Sequence, residues 1–219
     1  EDEALALGWA PMDAFFYRTD DQLWIQARTT RIVLEEFSVK KKHRQYMKKE
    51  ITGRYYPFDN PWQNQCDEIY QKYCKHKGYD DHGSELVDKP YGDKDYFIYW
   101  YDDKIIGYTQ LTRYKKSVVA GEFAWDYEMP ELNLGTFAQN FECNMYRDMR
   151  YLYYYSSYAY ERVCEYKSHY NGFEWWTGRE WSRNKELFRD ILNKDSDIES
   201  LRDLYYRQKD YYKERDINE

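Results

Sequence analysis

No stretch of this chain approaches the roughly 20 consecutive apolar residues that a bilayer-spanning helix needs, so no membrane is expected among its partners. No signal-peptide pattern opens the sequence, and the expected setting is cytoplasmic. The four cysteines, Cys66, Cys74, Cys143 and Cys164, form no C-x-x-C pair. A zinc site wants close-spaced Cys or His ligands, and the neighbours Cys74 and His76 do not make one alone. Reduced, unpaired thiols and no bound metal are therefore expected. Positive charge is also short: the net charge of -7 argues against indiscriminate binding to nucleic acid. No internal repeat or low-complexity segment is present.

What the chain does contain suits a folded protein. At 219 residues, one compact unit or two intimate lobes are expected, and 42% hydrophobic content can build a core. The 33% of charged residues and a mean hydropathy of -1.08 make it polar for its size. Its 27 tyrosines supply apolar burial while keeping a hydroxyl for the rim of a groove. Basic residues gather in one place: Lys40, Lys41, Lys42, Arg44, Lys48, Lys49 and Arg54 stand against Glu50, with Tyr46, Tyr55 and Tyr56 interleaved. A helix over Val39–Glu50 would put Lys41, Arg44 and Lys48 on one face, with Lys49 at its edge. Such a run reads either as a solvated helix face or as a footprint for a phosphate backbone.

Along the chain, strands are expected around Ala14–Arg18, Gln22–Ala27 and Arg31–Phe37. A helix over Asn64–Lys77 stops at Gly78, and Tyr79–Asp95 is a Gly/Asp/Pro-rich connection. Tyr96–Tyr101 and Ile105–Leu111 form a hairpin through Asp102-Asp103-Lys104, with Val118–Trp125 as the third strand. Leu134, Phe137, Phe141, Met145 and Met149 then recur at helical spacing behind Asn133, a good N-cap residue. A helix at Lys185–Leu192 follows, then one opened by the capping box Ser196-Asp197-Ile198-Glu199. The second of these carries an apolar stripe for the body or for a partner copy, which makes a homo-oligomer conceivable.

In this arrangement Gly135 and Thr136 fall in the first turn of a helix between two strands. Backbone N–H groups there lack intrahelical partners and face an anionic or carbonyl oxygen favourably. A strand, a small-residue helix start and a second strand is how an acyltransferase of the GNAT class holds its donor. The expected fold is α+β: a GNAT-like mixed sheet with flanking helices, plus a C-terminal helical tail. The expected boundaries are 1–95, 96–181 and 182–219.

Several motifs, in order, resemble the arginyl/leucyl-tRNA–protein transferases. Asn133-Leu134-Gly135-Thr136-Phe137 resembles that family's SLGTF/Y helix start, and Trp125-Asp126 stands where it carries Tyr-Asp. Tyr153-Tyr154-Tyr155-Ser156-Ser157-Tyr158 resembles its YYYLGYW strand; Tyr166-Lys167 and Tyr170 resemble its KMxYKAxF segment. Gly8-Trp9 with Tyr17-Arg18, and Val33, Phe37 and Ser38 before Lys42-His43-Arg44, resemble its N-terminal motifs. The similarity runs over residues 5 to 181 and implies two tandem GNAT-like lobes, the first degenerate. Three departures stand out: Thr19–Arg31 holds no cysteine cluster, Ser156-Ser157 replaces Leu-Gly, and Val163-Cys164 replaces Lys-Met. They leave donor and acceptor specificity open.

The resemblance implies amino-acid transfer from an aminoacyl-tRNA, without a further cofactor, to an amine of a protein, peptide or small molecule. Such an enzyme sets the amine on the ester carbonyl, removes a proton and stabilises an oxyanion. Asp126, Tyr158 and Tyr166 are the candidate catalytic residues. Trp125, Asn133, Gly135, Thr136, Lys167 and His169 are the candidate substrate-binding residues, with Lys167 and His169 read as sharing one side of a strand. Lys41, Lys42, Arg44, Lys48 and Lys49 are the candidate tRNA contacts. Two alternatives stand beside this reading. One is an acyl-CoA-dependent GNAT N-acyltransferase, although Glu131–Thr136 lacks the basic residue and second glycine of the usual CoA loop. The other is a non-catalytic family member serving as a complex subunit.

Overall fold

The computed structural model describes residues 1–12, 23–26, 28–78, 93–159 and 162–195. Ten strands and four helices lie among them: α1 (Asp2–Ala6), β1 (Trp9–Met12), β2 (Leu23–Gln26), β3 (Thr29–Val33), β4 (Thr52–Pro57), α2 (Gln63–Lys77), β5 (Asp93–Tyr101), β6 (Lys104–Arg113), β7 (Ser117–Trp125), α3 (Leu134–Asp148), β8 (Tyr153–Tyr158), β9 (Phe173–Trp176), β10 (Trp181–Ser182) and α4 (Lys185–Lys194). Eight strands form one mixed sheet in the order β10-β9-β3-β8-β7-β6-β5-β4, and β1 pairs with β2 separately. Strands β3 and β4, which fall within the stretch expected of the first lobe, thus share a sheet with those of the second, whereas β2, expected around Gln22–Ala27, pairs with β1. The boundary expected at residue 95 falls inside β5. The strand expected at 14–18, most of the 79–95 connection and the capping-box helix at 196–199 lie outside the described residues.

Local chemistry accounts for the elements read from sequence. The β5–β6 hairpin turns through Asp102 and Asp103, both at positive φ (47° and 58°), as a tight primed turn requires. Helix α2 ends where Gly78 adopts φ 69°, with Lys75, His76 and Lys77 in its last turn beside the negative end of the dipole. Strand β5 alternates: Phe97 and Tyr99 join the core under α3, while Ile98 and Trp100 face α2 with Cys66, Ile105, Tyr108 and Ala124. So α3 covers one face of the sheet and α2 the other. Helix α4 buries Phe188, Ile191 and Leu192 against Phe173, Trp175 and Ala159.

Two segments differ from the sequence reading. Val39–Glu50 is not an α-helix: Lys41–His43 form a 3-10 turn, closed by His43 N–H to Lys40 O and Tyr46 N–H to His43 O. Like charges three and four apart oppose a helix there, and only His43 is fully buried to anchor it. Arg162–His169 is likewise a 3-10 segment, not a strand. Lys167 and His169 therefore do not alternate as a strand would place them.

Candidate active site

Strand β7 and strand β8 run parallel, but they pair only over Ser117–Val119 against Tyr153–Tyr155. A register shift follows in β7, where Phe123 opposes Thr109 and Ala120 opposes Leu111, so one extra residue is accommodated near Gly121. Bulges bend a strand and end its pairing. Beyond that point β7 continues to Trp125 and β8 to Tyr158 without a mutual ladder. The first turns of α3 lie over this parting. Leu134 sits on Gly107, Gly135 lies beside the Phe123 ring, and Gln139 Nε2 donates to Ser156 Oγ at 3.0 Å.

Asn133 is the N-cap residue of the helix, as read from sequence, but it stands in the left-handed region (φ 51°, ψ 49°) and its side chain makes no capping bond. The backbone bend replaces the side chain: Asn133 O accepts from Thr136 N–H (3.0 Å) and Phe137 N–H (3.2 Å). Among the described residues, the N–H groups of Leu134 and Gly135 meet no acceptor in the protein. Gly135 and Thr136 are partly exposed. Two backbone donors and the positive helix end therefore face a gap in the sheet, a geometry that suits a developing oxyanion. Just inside, Asn140 Nδ2 donates to Thr136 O at 2.7 Å and lies 3.3 Å from His43 Nδ1.

Trp125 packs on the α3 side, and Asp126 turns to the other face. There it lines a cleft of about 310 Å³ with Trp62, Ile69, Lys72, Trp100 and Lys104. Lys104 Nζ lies 2.7 Å from Asp126 Oδ2, and Glu128 N–H donates to Oδ1 at 3.1 Å. Burial pushes the Asp126 carboxyl up, but the Lys104 hydrogen bond, the Glu128 N–H and the charges of Lys104 and Lys72 outweigh it and hold the group below its usual value. Asp126 is thus a firmly ionised carboxylate, separated from the Gly135 N–H by the sheet. The Trp62 and Trp100 rings meet edge to face at 4.9 Å in the same cleft, a feature that sequence reading did not bring out.

The remaining candidates scatter around the parted strands. Tyr158 ends β8, and its hydroxyl reaches Ala10 O at 3.4 Å. Tyr166 is half exposed on the 3-10 segment. Lys167 is buried; its Nζ donates to Ser156 O at 2.6 Å and also to Tyr158 O, carbonyls of the stretch of β8 that has left β7. Its ammonium satisfies backbone that lacks a strand neighbour, so it is not free for the substrate contact read from sequence. His169 is half buried; burial, then the charge of Lys42, lower its pKa.

Without a helix, Lys41, Arg44 and Lys48 lose the shared face expected of them, although all three, with Lys42, are exposed. The segment lies along α3: Lys49 Nζ donates to Glu131 O just before the helix, and His43 touches Asn140. The charges of Lys40, Lys42 and Arg189 act instead on His169 and Lys185, lowering the pKa of each. Lys185 and Arg189 carried no signal in sequence beyond their spacing of four on α4. Among the described residues, no group of three or more His, Cys, Asp or Glu side chains could hold a metal ion, and no helix is long and apolar enough to cross a membrane.

No protein-family profile matches the sequence, and no curated protein matches it. Solved structures do. FemX superposes with a TM-score of 0.53 at 11% identity, over 72% of this chain and 59% of FemX. The C-terminal DUF2156 domain of an Agrobacterium fabrum protein described as a lysylphosphatidylglycerol synthetase gives 0.49 at 12% identity, over 61% of this chain and 46% of that one. L-PGS from Bacillus licheniformis gives 0.46 at 9% identity, over 59% of this chain and 44% of L-PGS. The chain thus spans about half the length of the solved structures it matches. At such identities the likeness is one of fold: a GNAT-like mixed sheet with flanking helices. The comparisons do not carry the resemblance to arginyl/leucyl-tRNA–protein transferases beyond that fold.

Proposed function

We propose that this chain is an aminoacyltransferase that moves an amino acid from tRNA to an amine of a protein, peptide or small molecule. The observation that carries the reading is the start of α3, where the Leu134 and Gly135 N–H groups face the parting of β7 and β8. The amine nitrogen attacks the ester carbonyl carbon, and the C–N bond forms as the carbonyl oxygen takes negative charge beneath those donors. Collapse breaks the ester C–O bond, and the proton lost by the amine nitrogen passes to the departing ribose oxygen, which leaves as the terminal hydroxyl of the tRNA. Asp126, held ionised, is a poor proton acceptor and a good anchor for an ammonium group. It therefore serves acceptor binding from the α2 face, through an ammonium of the acceptor other than the attacking amine, which reacts in its neutral form. The Trp62 and Trp100 rings beside it add cation–π contacts. Trp125 and Thr136 border the donor, Asn133 sets the helix start, and Tyr158, Tyr166 and His169 surround the exit side. The motif resemblance supports the kind of transfer and not membership of that family.

The test is a pair of substitutions at one position. Gly135→Pro deletes one donor while keeping a first-turn residue that helices accept; Gly135→Ala keeps the donor, and its Cβ would stand 3.6 Å from the Phe123 ring, an ordinary contact. Transfer of labelled amino acids from charged tRNA to amine acceptors should fall by about 10²–10³ in the proline variant and hold in the alanine one. Equal turnover by both, or transfer from acyl-CoA but from no aminoacyl-tRNA, would refute the proposal.

A further inference from the structure

Three chain segments bring cations together beside α3. Asn171 Nδ2 donates to Ser38 Oγ at 2.8 Å, which pins the 38–43 turn to the segment ending in Tyr170. The His43 ring rests on Tyr170 at 5.2 Å between centroids. From α4, Lys185 Nζ donates to Ser168 O at 2.6 Å and Tyr170 O at 3.2 Å, over the Phe173 ring. One turn later Arg189 Nε meets Glu165 Oε1 at 2.7 Å. Lys40, Lys42, His43, His169, Lys185 and Arg189 thus crowd one face, with Glu165 as the acidic group among them.

The crowding is unfavourable as it stands. Burial, then the charges of Lys40, Arg189 and Lys42, bring the Lys185 amine down to about 8. Burial and Lys42 also lower His43, His169 and Lys40. Like charges held together in a folded protein repel, and a bound anion relieves that repulsion. The face is open: Lys42 and Arg189 are exposed, and Lys40, His169 and Lys185 are half buried. Lys41, Arg44 and Lys48 are exposed in the same stretch of chain. An open track of cations fits successive phosphates of a strand better than one terminal phosphate in a socket. His43 also links the track to the candidate site through Asn140, which bonds Thr136 O.

We propose that this face, built from the 38–43 turn, the Glu165–Tyr170 segment and α4, binds the phosphodiester backbone of an RNA strand. The proposal rests on an aminoacyl-tRNA as donor, and it names the surface that holds the strand beside the first turns of α3. Lys40 and Lys185 supply fixed charges, and Lys42 and Arg189 reach out from the rim.

The test is binding of deacylated tRNA and of an unstructured oligoribonucleotide, followed by fluorescence anisotropy across a salt series, so no transfer activity is needed. The double variant Lys42→Glu/Arg189→Glu, folded by circular dichroism, should lose at least tenfold in affinity. Its salt dependence should flatten by about 1.4 in log–log slope for the single strand, two contacts at about 0.7 each. The milder Lys42→Ala/Arg189→Ala should move in the same direction if the charge reversal disturbs folding. Lys41→Glu/Lys48→Glu, beyond the cluster, should cost less than Lys42→Glu/Arg189→Glu. Unchanged RNA affinity in both cluster variants would overturn the proposal. Wild-type protein that binds pyrophosphate or CoA here but no RNA would overturn it too, in favour of a small polyphosphate. If RNA binding follows the prediction while no transfer is found, the surface stands and the catalytic reading alone fails.

Discussion

Gly107 is where α3 bears on the sheet, and adding one methyl group there tests the architecture of the candidate site. A Cβ at this position would stand 2.5 Å from Leu134 Cδ2, 2.8 Å from the Ala124 carbonyl oxygen and 3.1 Å from Trp125 Cβ. The leucine tip can rotate aside. The carbonyl oxygen cannot, because it belongs to the β7 backbone opposite Tyr108, and Gly107 itself is laddered to Tyr99 on one side and Trp125 on the other. Gly107→Ala must therefore part β6 from β7 or lift the first turn of α3. Overpacking of this kind costs about 1–3 kcal/mol, and contact with fixed backbone argues for the upper half of that range. At roughly 2–4 °C per kcal/mol for a chain of this size, the melting temperature should fall by about 4–12 °C. Gly135→Ala is the matched control: its Cβ meets nothing closer than 3.6 Å. Because alanine is a better helix former than glycine, that variant should be as stable as the parent or slightly more so. Calorimetry and urea titration measure both, and the transfer assay reports whether Gly107→Ala loses turnover beyond its loss of folded protein. A Gly107→Ala variant that melts within about a degree of the parent would refute the packing of Leu134 on this glycine, and with it the position assigned to the α3 donors.

Two further outcomes test the interior. Glu142 is buried in α3 and accepts hydrogen bonds from the Tyr99 and Tyr154 hydroxyls; burial raises its pKa from 4.5, against hydrogen bonds from Thr109, Tyr154 and Tyr99. Its stabilising share is whole below the unfolded value and shrinks as pH rises toward the raised folded one, so Glu142→Gln should gain on the parent in urea titrations as pH rises above the unfolded value, whereas parallel curves would contradict this. Arg28 and Asp195 form a buried ion pair that ties the start of β3 to the end of α4. Arg28→Met should cost about 3–5 kcal/mol in urea titration by stranding the carboxylate, and Arg28→Met/Asp195→Leu should recover most of it; equal losses in single and double variants would count against the pair.

The parts of this fold that were legible in sequence are those decided within a dozen residues. The two aspartates of the β5–β6 turn, Gly78 after α2 and the apolar spacing from Leu134 onward each report a backbone requirement local to themselves. The position of β3 is of another kind. It sits between β8 and β9, partners 120 or more residues away, and its Thr-Thr-Arg-Ile-Val sequence has no apolar run to announce a central strand. Its polar side chains are buried because distant groups receive them: Thr30 Oγ1 donates to Ser157 O at 3.1 Å, and Arg31 Nε donates to Glu174 at 2.8 Å. The basic run was visible, but its helical spacing misled, since charge periodicity without an apolar face does not hold a helix in place. The cationic cluster could not be read at all, because its members come from residues 40–43, 169 and 185–189 and meet only after β3, β9 and α4 have packed.

The separation of Asp126 from the α3 start bears on how two substrates meet. The helix start lies on one face of the sheet, the Trp62–Trp100 cleft with Asp126 on the other, and between them β7 and β8 have no shared ladder beyond Tyr155. A sheet laddered along its full length would keep a donor and an acceptor on these two faces apart. Here the bulge near Gly121 turns β7 aside, and Lys167, bonded to Ser156 O and Tyr158 O, lets β8 continue without that neighbour. The buried ammonium is thus a structural answer to the opening, since β8 carbonyls freed from the ladder still need donors. In the proposed transfer, the donor ester lies along α3 under the N–H groups, and an acceptor anchored at Asp126 and the two indoles reaches its neutral amine through the gap from behind.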